Sequence, residues 1–389
     1  MSFRSWFFTE MGYPYLPPDG EFDSMRVTLP ARVFDPERGA DLYELCFDLY
    51  RAADAAGLDV MINEHHATAT CIDSCAPLSL AILARETKTA RLLILGNPVS
   101  NRDDPVRIAE EMAMCDVISR GRVEVGFVRG VPQEISPSNV NPVLMKERFW
   151  EAVDLIVTAW TSIDGPVSWE GDHFHARQVN VWPRVYQQPH PPLWIPTQSA
   201  GTVVEAADRQ FNLAVILNGH EGARRMFDTY RARSAERGFA PTAPAQLAYL
   251  GLVYVGATEA DAREGARQLQ WYLQNNKIAP QFLNPPGYSP PEQRAPILAA
   301  AARGAPLGTP IAGIIDASVD ELVEMGMFFA GTPPQVIEQI TSFHERVGGF
   351  GNLLMMMHGG HMDFETTTRS IDLYAREVQP ALVGLNDIG

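Results

Sequence analysis

The sequence predicts a single α/β domain with the architecture of a (β/α)8 TIM barrel, and three observations carry that expectation. Strand-length apolar runs alternate with helical patterns eight times along 389 residues, without internal repeats. Such alternation is the order of successive βαβ units in a parallel sheet. The apolar run at 58–62 ends abruptly in Glu64, His65 and His66, at the carboxyl end where parallel α/β folds collect their chemistry. The turn after the first strand, Thr9-Glu10-Met11-Gly12-Tyr13, lacks G-x-G-x-x-G, which argues against the competing doubly wound open sheet.

The elements follow in order. Residues 3–9 are aromatic-rich and read as strand one. Pro14, Pro17, Pro18, Pro30 and Pro36 make 12–36 a long loop, and such loops tend to be lids or binding loops. Leu42, Leu45, Leu49, Ala52, Ala53 and Ala56 trace a helix that Gly57 stops ahead of strand two. A helix at 76–87 precedes strand three at 90–95, which breaks at Gly96-Asn97-Pro98. Asp104-Pro105 opens a helix with proline in its first turn. Arg120-Gly121-Arg122 then turns into strand four, 123–128, ending at Arg129-Gly130. After a Pro-, Asn- and Ser-rich loop, residues 145–160 carry Phe149, Trp150, Val153, Ile156, Val157 and Trp160 on one helical face. Short alternation over 165–181 predicts a β-hairpin excursion. Strand five at 193–195 leads into Ser199-Ala200-Gly201-Thr202, which opens a helix. Strand six (211–217), a helix (222–238), strand seven (247–255) and a helix (258–275) continue the alternation. Residues 276–330, rich in Pro, Gly and Ala, are a long insertion after strand seven. A helix at 333–347, strand eight at 352–357 and a helix at 366–378 complete one domain over 1–389.

Composition narrows the function. With 31 basic and 47 acidic residues the net charge is −16, which disfavours a nucleic acid or an anionic membrane as partner. No window approaches 18 unbroken apolar residues and the start has no signal-peptide pattern, so the chain reads as soluble and cytoplasmic. Cys46 and Cys115 fall in apolar helical patterns, as small core residues do. Cys71 and Cys75 follow the histidines, yet no second cluster supplies the spacing of a metal site, and no metal is expected.

Five strand ends then converge on one mouth. Glu64-His65-His66 offers imidazoles for proton traffic, since an unperturbed imidazole titrates at roughly pH 6.5. Neighbours on a strand point oppositely, so the two rings do not chelate one ion. The plain alternative is core hydrogen bonding. Gln198, Ser199, Gly201 and Thr202 lie at a strand-to-helix junction, a ready anion site; the alternative is simple N-capping by Ser199. Arg129 would supply the charge that turns a cap into a phosphate site. Gly96 and Asn97 mark a close backbone approach or a sharp bend, with Asn97-Pro98 a candidate cis proline. His358 and His361 are ambiguous; His173 and His175 sit on the exposed hairpin.

At these residues the sequence resembles the bacterial luciferase-like flavin-dependent monooxygenases. The resemblance runs from Trp6 to about Leu382 and is carried by Glu64-His65-His66, by 104–111 (Asp-Pro-Val-Arg-Ile-Ala-Glu-Glu), by 116–130 and by 198–202. It implies a barrel that binds reduced FMN, supplied by a separate NAD(P)H-dependent flavin reductase, and that uses O2 through a 4a-peroxyflavin to oxygenate a small organic substrate. It implies a homodimer as well. By the same resemblance His65 is catalytic, with His66 beside the substrate or in support and Glu64 orienting one of the two. Arg129, Ser199 and Thr202 hold the phosphate, and Gly96-Asn97 lies where the family carries a non-prolyl cis peptide under the flavin ring. Pro98 departs from that pattern and leaves the cis bond unassigned. A reactive flavin must be kept dry, so the 12–36 loop and the insertion are expected lids, with Tyr13, Tyr15, Phe22, Phe282 and Tyr288 as covers. No Arg or Lys cluster lines these segments, which points to an apolar or carbonyl-bearing substrate. A deazaflavin-dependent hydride-transfer enzyme on the same barrel, a non-catalytic flavin-binding protein and a metal-dependent hydrolase are the competing readings.

Overall fold

The computed structural model describes residues 3–386 apart from 19, 23, 284, 290 and 304–313. The strands in order are β1 (Arg4–Thr9), β2 (Asp59–Ile62), β3 (Leu92–Pro98), β4 (Val123–Val128), β5 (Val167–Glu170), β6 (His175–Val179), β7 (Leu193–Thr197), β8 (Asn212–Ile216), β9 (Leu247–Val255), β10 (Phe328–Gly331) and β11 (Asn352–His358). Eight of them, β1-β2-β3-β4-β7-β8-β9-β11, pair in parallel, and β11 closes the ring on β1 from Arg4↔Asn352 through Phe8↔Met356. The structure is thus a closed (β/α)8 barrel, with β5 and β6 as the antiparallel hairpin excursion.

The helices are α1 (Pro36–Ala55), α2 (Ala76–Glu86), α3 (Pro105–Ser119), α4 (Ile135–Ser138), α5 (Met145–Thr161), α6 (Ala200–Asp208), α7 (Gly219–Glu236) and α8 (Glu259–Asn275). They continue with α9 (Pro280–Leu283), α10 (Pro291–Ala301), α11 (Val319–Glu324), α12 (Pro333–Arg346), α13 (Phe364–Leu373) and α14 (Gln379–Leu382). Their starts follow capping rules: Asp35 accepts from the Glu37 amide, Asp104 from Arg107 and Thr258 from Asp261.

Strand sequences that looked uniformly apolar are sorted by the pleat. Trp6, Phe8, Met61, Leu93, Trp194, Leu250, Leu354 and Met356 point into the barrel and form one cluster. Phe7, Val60, Ile62, Leu92, Val125, Leu353 and Met355 point outward and pack under the helices in another. Both faces are dry, so the middle of each strand is largely apolar on both sides and period-two alternation fades from the sequence. Each fully buried side chain of this kind contributes about 1.5–3 kcal/mol. At the amino end the barrel is plugged by polar groups: Glu124 accepts from Trp194 Nε1 at 2.6 Å and pairs with Arg91, and Arg4 Nε donates to Asp59 at 2.8 Å.

β10 lies inside the stretch read from sequence as insertion. It pairs with the far half of β9, Phe328↔Leu252 through Gly331↔Val255, beyond the point where β8 stops at Ile216↔Leu250. Four residues beside glycine and alanine carry no strand signal of their own; the free edge of the long β9 creates this one. Of the insertion, 304–313 lie outside the described residues.

Candidate active site

The mouth is assembled where the strands end. β2 delivers Asn63, Glu64, His65 and His66, which leave the strand in succession and take different partners. His65 Nδ1 lies 2.9 Å from Glu134 Oε1, and its Nε2 lies 4.0 Å from Glu10 Oε2. The same Glu134 oxygen accepts the His66 amide at 3.0 Å. Burial would raise the Glu134 carboxyl, but the His65 imidazole and the His66 amide hold it below the ordinary carboxylate value. An ionised Glu134 fixes the Nδ1–H tautomer of His65 and leaves Nε2 turned toward the mouth.

Glu64 serves the other ring. Its Oε1 lies 2.9 Å from His66 Nε2 and accepts from Arg102 at 2.6 Å, while Oε2 accepts the Ala76 amide at the start of α2 at 3.0 Å. Burial opposes its ionisation, but His66 and Arg102 keep its acid strength high, and Glu64 in turn raises His66. Glu64 therefore orients His66 and ties β2 to α2. The partner of His65 is Glu134, in the loop after β4, which the sequence did not single out: one acid in a Pro- and Ser-rich segment gives no signal until the loop folds back. Arg102 and Glu10 were missed too. Glu10, next after the strand-end Thr9, accepts from Asn63 and Tyr272, both at 2.9 Å.

Across the mouth, paired strands place Arg129 and 198–202 side by side: Gly126 of β4 is in register with Trp194 of β7, three residues before Arg129 and Thr197 respectively. Arg129 is half-buried, forms no ion pair among the described residues, and carries the Tyr288 ring of the insertion 4.1 Å from its guanidinium carbon. Ser199 occupies the N-cap of α6 but makes no side-chain cap bond, so plain capping does not account for it. Its amide donates to Thr197 Oγ1 at 2.9 Å, and Gln198 Nε2 donates to the Ile216 carbonyl at 2.9 Å. A Cβ at Gly201 would meet nothing nearer than Ser199 Oγ at 3.9 Å, so packing does not demand glycine there. The Thr202 and Val203 amides turn back onto the Ser199 carbonyl, both at 3.1 Å, which leaves the Ala200 and Gly201 amides as the end of α6 that an anion could meet.

Between these halves, β3 carries a cis peptide at Leu95–Gly96. That settles the open question one bond earlier than either sequence candidate, Gly96-Asn97 or Asn97-Pro98. A Cβ at Gly96 would lie 2.7 Å from the Gly126 carbonyl oxygen, so the approach of β3 to β4 requires glycine. Asn97 is fully buried, donates to the Gly126 carbonyl at 3.3 Å, and leaves Oδ1 without a partner.

Two histidines stand apart. His358 is interior, bonded to Thr9 Oγ1 at 3.0 Å and the Met362 carbonyl at 3.1 Å, and burial pushes it down to about 4, so it is a neutral core residue. His361 is exposed beside Tyr15.

Known proteins agree with this architecture. The family model described as luciferase-like monooxygenase matches residues 28–348. The oxygenase component of the flavin-dependent trigonelline monooxygenase of Acinetobacter baylyi is 27% identical over 61% of this chain; the match spans 66% of that relative's own length. The oxygenating constituent of 3,6-diketocamphane monooxygenase of Pseudomonas putida, solved with FMN, superposes with a TM-score of 0.72 at 20% identity, covering 98% of each chain. A secondary alcohol dehydrogenase dependent on coenzyme F420 shares the fold at a TM-score of 0.68 and 16% identity, covering 98% of this chain and 99% of the other. The chain belongs to the luciferase-like monooxygenase family. Among the described residues no helix is long and apolar enough to cross a membrane.

Proposed function

We propose that this chain is the oxygenase component of a two-component flavin-dependent monooxygenase that takes reduced FMN from a separate NAD(P)H-dependent reductase. The observation that carries the reading is the division of one mouth into an imidazole held by an ionised carboxylate and, across from it, an arginine outside any ion pair among the described residues beside a helix start whose N-cap serine makes no cap bond. Arg129, Ser199, Gly201 and Thr202 hold the phosphate, with the Arg129 charge outside any ion pair among the described residues, the Ser199 side chain free of a cap bond and the Gly201 amide at the open end of α6. Gly96, Asn97 and Gln198 border the ring, Asn97 through its backbone, since its side-chain amide lies against Met112 of α3. Reduced FMN supplies the activation of O2. The protein supplies position, dryness and proton control: His65, with Nδ1 fixed by Glu134, holds or yields a proton at Nε2, and His66 and Glu64 brace the same turn. The 12–36 loop and the insertion act as lids, Tyr288 closing over Arg129.

A homodimer fits the surface. Leu78 and Ile82 of α2 and Met114, Val117 and Ile118 of α3 are exposed on packed neighbouring helices, an apolar face that the linear sequence did not reveal. A monomer mass in sedimentation at micromolar protein would refute that assignment.

The second reading, hydride transfer from a deazaflavin, draws on the shared fold of the F420-dependent dehydrogenase. Substrate-dependent O2 consumption with reduced FMN, and none with the reduced deazaflavin, is the expected result. Oxidation of an alcohol by a deazaflavin without O2 uptake reverses the choice. FMN binding with no O2 consumption for any substrate leaves a binding protein.

A further inference from the structure

The 12–36 loop, expected to be merely an apolar cover, brings a buried cation to the mouth. Arg26 is 3% exposed. It is clamped between two chain segments: Arg26 bridges Thr68 in antiparallel fashion, the Val27 amide donates to the Ala67 carbonyl at 2.6 Å, and the Met25 amide to the Lys277 carbonyl at 3.3 Å. Arg26 Nε donates to Asn276 Oδ1 at 2.9 Å, which fixes the plane of the guanidinium. Its Nη1 is buried and has no partner. Native proteins rarely leave a charged donor in that condition, because its lost hydration is not replaced.

The groups around it explain what is missing. Asn276, which holds Arg26, lies one turn beyond Tyr272 at the end of α8, and Tyr272 donates to Glu10 at 2.9 Å, whose other oxygen lies 4.0 Å from His65 Nε2. The carboxylates there already have donors: Glu10 takes Tyr272 and Asn63, Glu134 takes His65 and the His66 amide, and Glu64 takes His66, Arg102 and the Ala76 amide. None of these carboxylates forms an ion pair with Arg26. Arg26 Nη1 is therefore a cationic donor left over beside three carboxylates that are already served. A planar oxyanion is the complement of a guanidinium edge held in one plane.

We propose that Arg26 binds a carboxylate of the substrate, so that the molecule oxidised here is a small organic acid and the 12–36 loop recognises it while closing. This deepens the monooxygenase reading and rests on it for the word substrate. The acid would supply the acceptor that the buried Nη1 lacks, so that binding it offsets the lost hydration of the guanidinium.

The test titrates benzoate and nicotinate, each against its neutral amide, into the protein with and without saturating FMN, by calorimetry. The expected result is that at least one acid binds tenfold or more tightly than its amide. Arg26→Gln should equalise the pair while leaving the FMN dissociation constant unchanged, and Arg26→Lys should restore part of the preference. The proposal is overturned if neither acid binds up to millimolar concentration, if acid and amide bind alike, or if Arg26→Gln keeps the preference. FMN affinity is read separately, so loss of the cofactor reading shows as absent FMN binding, while the acid–amide comparison on flavin-free protein still decides the carboxylate.

Discussion

The two sides of the barrel mouth are built on opposite principles. On the β1–β2 side, polar groups satisfy one another: Glu134 with His65, Glu64 with His66 and Arg102, Glu10 with Asn63 and Tyr272. On the β4–β7 side, polar groups are left over: Arg129 without an ion pair among the described residues, Ser199 without a cap bond, Gly201 without a packing reason. A saturated network is rigid and sets tautomers; an unsaturated one is a receptor, because its desolvation is repaid only when something binds. The contrast is what motivates the proposal of chemistry on the first side and cofactor affinity on the second.

Substitutions can break that contrast. The largest effect is expected at His65. His65→Ala should slow substrate-dependent O2 consumption by on the order of 100-fold, a usual range for a positioned acid or base, while FMN binding changes little; near-normal turnover removes its role. Glu134→Gln should give part of that loss in the same O2-consumption assay, since a neutral amide holds the Nδ1–H tautomer of His65 less firmly than a carboxylate. On the opposite side, Arg129→Ala should weaken FMN by about tenfold or more, the value of a charge-assisted hydrogen bond, and leave riboflavin nearly unaffected. Equal losses for both ligands would place the phosphate elsewhere.

A smaller effect sharpens the border of the saturated side. Asp73, 4% exposed, has Oδ2 unpartnered, and burial pushes its carboxyl up to about 6 against the Ser79 hydroxyl and the Cys75 amide. A carboxyl raised in the folded state supports stability fully below its unfolded value of 3.8 and loses that support as pH rises through about 6. Asp73→Asn should therefore stabilise the protein at pH 7.5 by about 1 kcal/mol relative to its effect at pH 4, below the ceiling of about 3 kcal/mol set by the shift. Urea unfolding at the two pH values measures the difference; an equal effect at both would mean that Asp73 is solvated.

The barrel was legible because its signals are local. Strand-length apolar runs, Asp-Pro helix starts and glycine stops are written within ten residues of where they act, and each strand end announces itself with a polar break. The pairing inside the mouth was not legible, because it joins loops far apart in the chain: His65 to Glu134, Glu10 to Tyr272, Arg26 to Asn276. β10 escaped for the same reason, needing an edge that β9 presents only when folded. The apolar α2–α3 face required the three-dimensional sum of five residues.

The sequence by itself determined that Glu64, His65 and His66 stand at the end of β2 and that a helix starts directly after β7, since strand, breaker and helix start stand in immediate succession there. Only the tertiary structure decided which acid serves which histidine, which bond of β3 is cis, and that Arg26 is buried with its Nη1 left without a partner. Those outcomes depend on distances between loops, and loops take their positions from the closed barrel rather than from their own residues.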